Sequence, residues 1–381
     1  MKETLHIRDP IHGTLAFGAV EKRVIDTAQM QKLRQVRQLA MAHLVYAGAH
    51  HTRFEHSLGT CYFAGRMAQA LGLDEGHVAR ARLAGLLHDV GHIAFSHEAE
   101  EVTRPKLGSH EEMGGKIIRE SEIADIISEH DDPKKVAAWA CGEAYGAIIA
   151  GDIGADRLDY LLRDAHYTGV AYGVIDYERV ISTIWWSGEN GLVARAGGLS
   201  AVESVLLGRF EMFSTVYMHH AVRIASAMLQ EAISAALLDE RFDWRGAQKI
   251  GDAEMLSRLA SVPGAKKWVK RLEGRMLLKR AATLPVRSLN GRQMQLVSSG
   301  KLLAMLRDKI SPEALVSMPV DFGKKPKIKI ATGEGEVDVG RLSPLVAALD
   351  KAMEARASVL VCVPGAKRNA AKNEAARFLG I

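Results

Sequence analysis

Gly85-Leu86-Leu87-His88-Asp89-Val90-Gly91-His92 sets a histidine and an aspartate side by side at the end of an apolar helical run. Neither belongs in a core unless it is paired or bound to a metal. Neighbouring helix residues point about 100° apart, so His88 and Asp89 can approach one ion only at a helix end, which Gly91 supplies. Imidazole nitrogen with carboxylate oxygen is a mixed ligand set that suits first-row divalent cations. Upstream stands Arg53-Phe54-Glu55-His56-Ser57-Leu58-Gly59, and downstream stand Phe95-Ser96-His97 and Ser109-His110-Glu111. All 15 histidines lie at or before His220, nine of them between His43 and His110. That clustering favours a metal site over the plainer reading, a capped or ion-paired His-Asp. A further carboxylate ligand is expected downstream, where Asp152, Asp156 and Asp159 fall within one short stretch. Helical spacing would bring Asp156, Asp159 or Tyr160, and Arg163 or Asp164 to neighbouring faces of one helix.

Around this stretch, from about residue 20 to 240, apolar residues recur at helical spacing, as in Tyr62-Phe63-Met67-Leu71. Asp9-Pro10-Ile11-His12-Gly13 reads as a turn before a first helix near residues 20–40. Beyond about residue 280 the runs become short and β-branched. Lys327–Val339 reads as a hairpin, Ser343–Ala357 as a helix and Ser358–Val363 as a strand. The expected fold is mainly α, a helical domain over residues 1–265 followed by a small α+β lobe over 266–381. Charge divides the same way: residues 1–265 hold 27 Lys+Arg against 35 Asp+Glu, and residues 266–381 hold 23 against 10. Disordered, fibrous and disulfide-stapled classes are excluded by 381 residues with 48% hydrophobic and 25% charged side chains. Cys61, Cys141 and Cys362 are odd in number and far apart, and the start MKETLHIRDP has no apolar h-region. A cytoplasmic protein without a membrane span is expected.

Taken together, Asp9–Gly13, Arg34 with Gln38-Leu39, Arg53–Gly59, His88–His92, Phe95–His97 and Asp156-Arg157-Leu158-Asp159-Tyr160 with Arg163-Asp164 resemble the HD-domain phosphohydrolases. Within them the likeness is to the sterile-alpha-motif/HD-domain and bacterial deoxynucleoside triphosphate triphosphohydrolase branch. The motifs run in family order from about residue 5 to residue 225 and imply an HD-domain helical fold. The resemblance implies that His56, His88, Asp89 and Asp156 bind one divalent metal per chain, of identity left open among Mn, Fe, Ni, Zn and Mg. It also implies that Arg53, His92, His97, His110, Arg157, Tyr160 and Arg209 surround a triphosphate, with His97 the candidate general acid. A metal that neutralises phosphate, with His and Arg donors around the developing charge, is coherent chemistry for phosphoryl transfer. Glu100, one turn beyond His97, could orient that imidazole or be a solvated helix charge. Gln38 and Leu39 look like the pair that reads the deoxyribose, with Asp164 and Tyr217 opposite, and Leu39 alone would be an ordinary core residue.

The implied activity is hydrolysis of deoxynucleoside triphosphates to nucleoside and tripolyphosphate. Alternatives are another nucleotide or phosphate ester, or a non-catalytic nucleotide-sensing or nucleic-acid-binding protein. Asp26, Gln31 and Arg34 fall where regulated relatives hold an activating guanine nucleotide between subunits, which implies a homo-oligomer. The pattern also departs from the family: Arg157 stands where vertebrate relatives carry Lys, a polar position before Tyr217 is Phe213, and no sterile-alpha-motif module precedes the domain. Lys324, Lys325, Lys327 and Lys329 could form a nucleic-acid patch, although alternating Lys on a strand more often protects a sheet edge.

Overall fold

The structure, a computed structural model, describes residues 4–188, 191–318 and 325–381. A hairpin opens the chain: Leu5–Asp9 pairs antiparallel with Gly13–Phe17, with Asp9 opposite Gly13. The Asp9 carboxylate accepts the N–H groups of Ile11 and His12, each at 2.9 Å, and so closes the expected turn.

The expected single helix over residues 20–40 is instead broken into Ala19–Ile25, Ala28–Lys32 and a 3₁₀ turn at Leu33–Gln35. The break has a local cause. Thr27 donates through Oγ1 to the Val24 carbonyl at 2.7 Å and Gln31 donates through Nε2 to the Ile25 carbonyl at 2.8 Å. These side chains satisfy carbonyls that a continuing helix would have used.

Three long helices form the centre: Arg53–Ala70, Glu75–Leu87 and Ala155–Thr168. Phe54, Leu58, Phe63, Met67, Leu86, Leu158 and Leu161 meet in one apolar cluster. Glu75–Leu87 begins at Asp74, whose carboxylate accepts the His77 N–H at 3.0 Å, and it ends before His88. The helix His110–Glu120 starts in a capping box made by Ser109 and Glu112.

The C-terminal strands form two sheets. Ser358–Val363 lies between Lys279–Pro285 and Leu315–Ser317, all antiparallel. The expected hairpin forms as Lys329–Thr332 with Gly335–Asp338, and Pro344–Arg356 is the expected helix. Lys329–Thr332 also pairs in parallel with Gly191–Arg195, Ala194 lying opposite Ile330. The lysine-bearing strand is therefore interior, which corrects its reading as a protected sheet edge; Lys324 lies outside the described residues. Ile328, Ile330, Val339 and Val346 join the same apolar cluster as Leu58 and Leu161, whereas Val359, Val361 and Ala371 pack in another. No helix among the described residues is long and apolar enough to cross a membrane.

Candidate active site

The helix Arg53–Ala70 presents His56, the end of Glu75–Leu87 presents His88 and Asp89, and the first turn of Ala155–Thr168 presents Asp156. His56 Nε2 lies 3.2 Å from His88 Nε2 and 3.0 Å from Asp156 Oδ1. Asp89 Oδ1 is 3.4 Å from His88 Nε2, and its Oδ2 is 3.8 Å from His56 Nε2. Ligand atoms bound at about 2.0–2.2 Å to one ion sit roughly 3 Å from each other, so this spacing suits a first-row divalent cation. His56, His88 and Asp156 form one of two described groups that could hold a metal ion.

The electrostatics agree with the donor set. Burial alone would lower the pKa of His56, but hydrogen bonds to Asp156 and Asp159 outweigh it and raise it to about 10. The cluster favours positive charge where Nε2 points. Against burial, which would raise it, Arg53, His88 and His92 hold the Asp89 carboxyl well below the usual range. Arg53 makes the nearest of these contacts, Nη1 to Asp89 Oδ2 at 2.6 Å, and donates through Nε to Ser96 Oγ.

Behind the ligand positions lies a carboxylate that the sequence reading treated only as one of three candidates. Asp159 takes His56 Nδ1 on one oxygen at 2.7 Å and His12 Nε2 on the other at 2.6 Å. Arg163 donates to both oxygens of Asp159 at 2.9 Å and reaches Asp9 at 2.8 Å. Gly59 lies against this network so closely that a Cβ there would overlap Asp159 and stand 2.7 Å from Arg163 Nη2. His12 lay inside the quoted Asp9–Gly13 turn, and that motif was its only signal.

His92, His97, Glu100 and His110 form the second group. The rings of His92 and His110 stack with centroids 3.9 Å apart, and His97 meets both edge-on. Burial, with Arg53 and His110 nearby, holds the His92 imidazole well below its usual value. Desolvation in this crowded cleft, with Arg53 and His110 close, also pushes His97 down to about 4; because 66% of its side chain is open to water, solvent screens much of that effect. Glu100 bonds His110 Nδ1 at 2.6 Å and stays 3.8 Å from His97 Nδ1. Its imidazole partner is therefore His110, because Ser109–His110 packs against that face while His97 faces solvent.

Asp164 holds the opposite wall. It bonds His51 Nε2 at 2.7 Å and accepts from the Tyr217 hydroxyl at 2.6 Å. Tyr217 arrives on a π-helical turn, Phe213–Tyr217, a local deformation that often re-aims a side chain at a site. His51 stacks on Tyr167. Gln38 keeps a buried Oε1 without a partner among the described residues, and Leu39 is half-buried. Arg157 pairs with Asp152 and donates to the Tyr160 hydroxyl at 3.2 Å, while Asp152 also accepts the Lys327 N–H at 2.7 Å. Arg209 lines a cleft with Phe210, Phe213, Lys325 and Asp350. Lys32, another residue that sequence reasoning missed, donates to the His92 carbonyl at 2.7 Å and fastens the His88–His92 turn from behind.

Asp26, Gln31 and Arg34 are not brought to this cleft as a set. Asp26 stands at the C-terminal cap of Ala19–Ile25, its N–H donating to the Lys22 and Val24 carbonyls. Arg34 donates to Gln31 at 2.9 Å and stacks 3.6 Å above the Phe54 ring.

Comparison with known proteins gives two matches to family models: an HD domain over residues 53–164 and an HD associated region over residues 175–381. An uncharacterised protein of Methanocaldococcus jannaschii is 33% identical over 354 residues, covering 90% of this chain and 75% of that protein. The deoxynucleoside triphosphate triphosphohydrolase of Homo sapiens is 28% identical over 288 residues, covering 63% of this chain and 46% of that enzyme. The crystal structure of a hypothetical protein from Aquifex aeolicus superposes with a TM-score of 0.81 at 31% identity, covering 98% of this chain and 100% of that one. With both halves of the pattern present around an intact His-His-Asp-Asp cluster, the chain belongs to the HD-domain phosphohydrolases.

Proposed function

We propose that this phosphohydrolase cleaves deoxynucleoside triphosphates to nucleoside and tripolyphosphate, with one divalent metal per chain held by His56, His88, Asp89 and Asp156. The observation that carries the reading is the convergence of His56, His88 and Asp156 on one point beside the histidine group His92, His97 and His110. A bound divalent cation there would neutralise phosphate charge and make water more acidic. Asp159 orients His56, and Arg53 holds Asp89 in place. Water adds at the α-phosphorus as the bond to the 5′-oxygen breaks, and that oxygen needs a proton. His97, open to the cleft, is placed to give it, with His92 and His110 as neighbouring donors to phosphate oxygens and Glu100 behind His110. Arg157, Tyr160 and Arg209 supply further donors for the phosphate chain. Gln38 and Leu39 face the sugar with Asp164 and Tyr217 opposite, where an apolar neighbour leaves a ribose 2′-hydroxyl without a partner.

The test is a nucleotide screen in the presence of Mn, Fe, Ni, Zn or Mg, with products separated by ion exchange. Deoxynucleoside with inorganic tripolyphosphate supports the assignment. Release of orthophosphate or diphosphate, or turnover of other phosphate esters alone, would replace it with the broader phosphohydrolase reading. The assembled ligand set argues against a purely binding role.

Regulation is a separate part of the proposal. A cleft lined by His220, Arg275, Lys279, Arg280 and Arg368 suits an anion such as a nucleotide phosphate chain. With Asp26, Gln31 and Arg34 of another copy reading the guanine, it would form an activator site in a homo-oligomer. The Gln31–Arg34 hydrogen bond must then open. Turnover with and without GTP, in wild type and Asp26→Ala, decides it: equal rates in all four mixtures remove the activator.

A further inference from the structure

Asp252 opens the helix Asp252–Ala260, inside the HD associated region, yet its side chain is almost fully buried next to the HD domain. Oδ1 accepts the Phe95 N–H at 2.9 Å, Oδ2 accepts the Arg37 N–H at 3.1 Å, and Arg37 Nη1 stands 3.5 Å away. Those two amides belong to the two segments on which the proposed chemistry depends. Phe95 precedes Ser96 and His97. Arg37 precedes Gln38 and Leu39.

The backbone at the first contact is unusual. Phe95 and Ser96 have φ of 64° and 52°, a left-handed conformation that residues with a Cβ rarely adopt and that persists only where surroundings impose it. Buried Phe95 and the bond from Arg53 to Ser96 Oγ hold the side chains, and Asp252 holds the amide. The approach of Asp252 depends in turn on the residue before it. A Cβ on Gly251 would overlap Gln35 and lie 2.6 Å from the Gln35 carbonyl oxygen.

We infer that Asp252 is a positioning residue through which the HD associated region ties the sugar-reading segment Arg37–Leu39 to the His97 turn. The inference rests on the proposed roles of Gln38, Leu39 and His97, but the clamp itself is a matter of two backbone amides and one carboxylate. Asp252→Asn preserves shape but offers a single good acceptor, so only one of the two amides can be held. Gly251→Ala leaves the carboxylate intact and pushes it away.

Hydrogen exchange over residues 36–40 and 93–99, metal content, and kcat and KM for a deoxynucleoside triphosphate and its ribonucleotide counterpart are measured for wild type and both variants. Faster exchange in one of the two segments is expected for Asp252→Asn and in both for Gly251→Ala, with unchanged metal content, a fall in kcat of tenfold or more, and a several-fold smaller preference for the deoxy substrate. A merely structural residue would lower the melting temperature without altering that preference. Unchanged exchange in Asp252→Asn overturns the inference, as does faster exchange with kcat and preference intact. A wild type inactive on every nucleotide would count against the proposed function instead. The exchange data would then decide the clamp alone, with both segments loosening in Gly251→Ala in its favour and either one unchanged in that variant against it.

Discussion

His56 Nδ1 lies 2.7 Å from Asp159 Oδ2, and the other oxygen of Asp159 lies 2.6 Å from His12 Nε2. A carboxylate that takes Nδ1–H leaves the Nε2 lone pair of His56 facing His88 and Asp156, and it makes the imidazole a stronger donor to a cation. Asp159→Asn should weaken metal binding about 10- to 100-fold, the usual scale for such an outer partner. Equilibrium dialysis against the metal checks this, and wild-type affinity in the variant would leave Asp159 a packing residue only.

Removing ligand atoms should act more completely. The double variant His88→Ala, Asp89→Ala is expected to lose metal and turnover together, because two of four donors go and Arg53 is left facing an uncharged position. Elemental analysis showing full occupancy in that protein would refute the ligand assignment. Chelation of the wild type should likewise abolish turnover, and re-addition of the metal should restore it.

His97 and Arg53 should behave differently from one another. His97 is open to solvent, so His97→Ala should keep metal and stability while turnover falls by about two orders of magnitude, the scale of one acid–base group. Arg53 is only 3% exposed and bound to Asp89, so Arg53→Ala should lower turnover and also the melting temperature. Melting curves, metal content and kcat on the same two proteins test the distinction; unchanged turnover in both removes them from the mechanism.

Glu98 offers a pH test away from the metal ligands. Burial pushes its carboxyl up to about 7, so the fold holds the proton more tightly than the unfolded chain does. A raised folded-state pKa gives stability that is present at low pH and lost as pH rises through about 7. Glu98→Gln, which mimics the protonated form, should therefore raise the melting temperature at pH 8 and leave it nearly unchanged at pH 4. An equal shift at both values would mean that the effect is not ionisation.

Much of this protein was legible from local pattern. Helical periodicity marked residues 20–240 as helical, where Arg53–Ala70 and Glu75–Leu87 form, and the glycine-containing turn after Ile330 marked a hairpin over Lys327–Val339, which forms as Lys329–Asp338. These depend on spacing of 3.6 or 2 and on turn chemistry within a few residues, which the chain carries in its own order. The failures were also local in origin: Thr27 and Gln31 broke a helix through hydrogen bonds that periodicity does not register.

At the site, residue type and spacing singled out His88 and Asp89, because histidines and carboxylates at the end of an apolar helix need an explanation, and the family resemblance implied His56 and Asp156 beside them. Only the tertiary structure decided which of the two carboxylates meets Nδ1 of His56 and which meets its Nε2. Asp156 and Asp159 are three residues apart on one helix, so spacing treats them nearly alike, yet His12, His56 and Arg163 surround Asp159 while Asp156 meets Nε2 of His56. The same holds for Glu100 turning to His110, for His51 on Asp164 and for Asp252 reaching Phe95. Each partner lies 10 to 157 residues away in the chain. Such pairings are set by how helices pack and where buried polar groups find partners, information that exists only once the chain is folded.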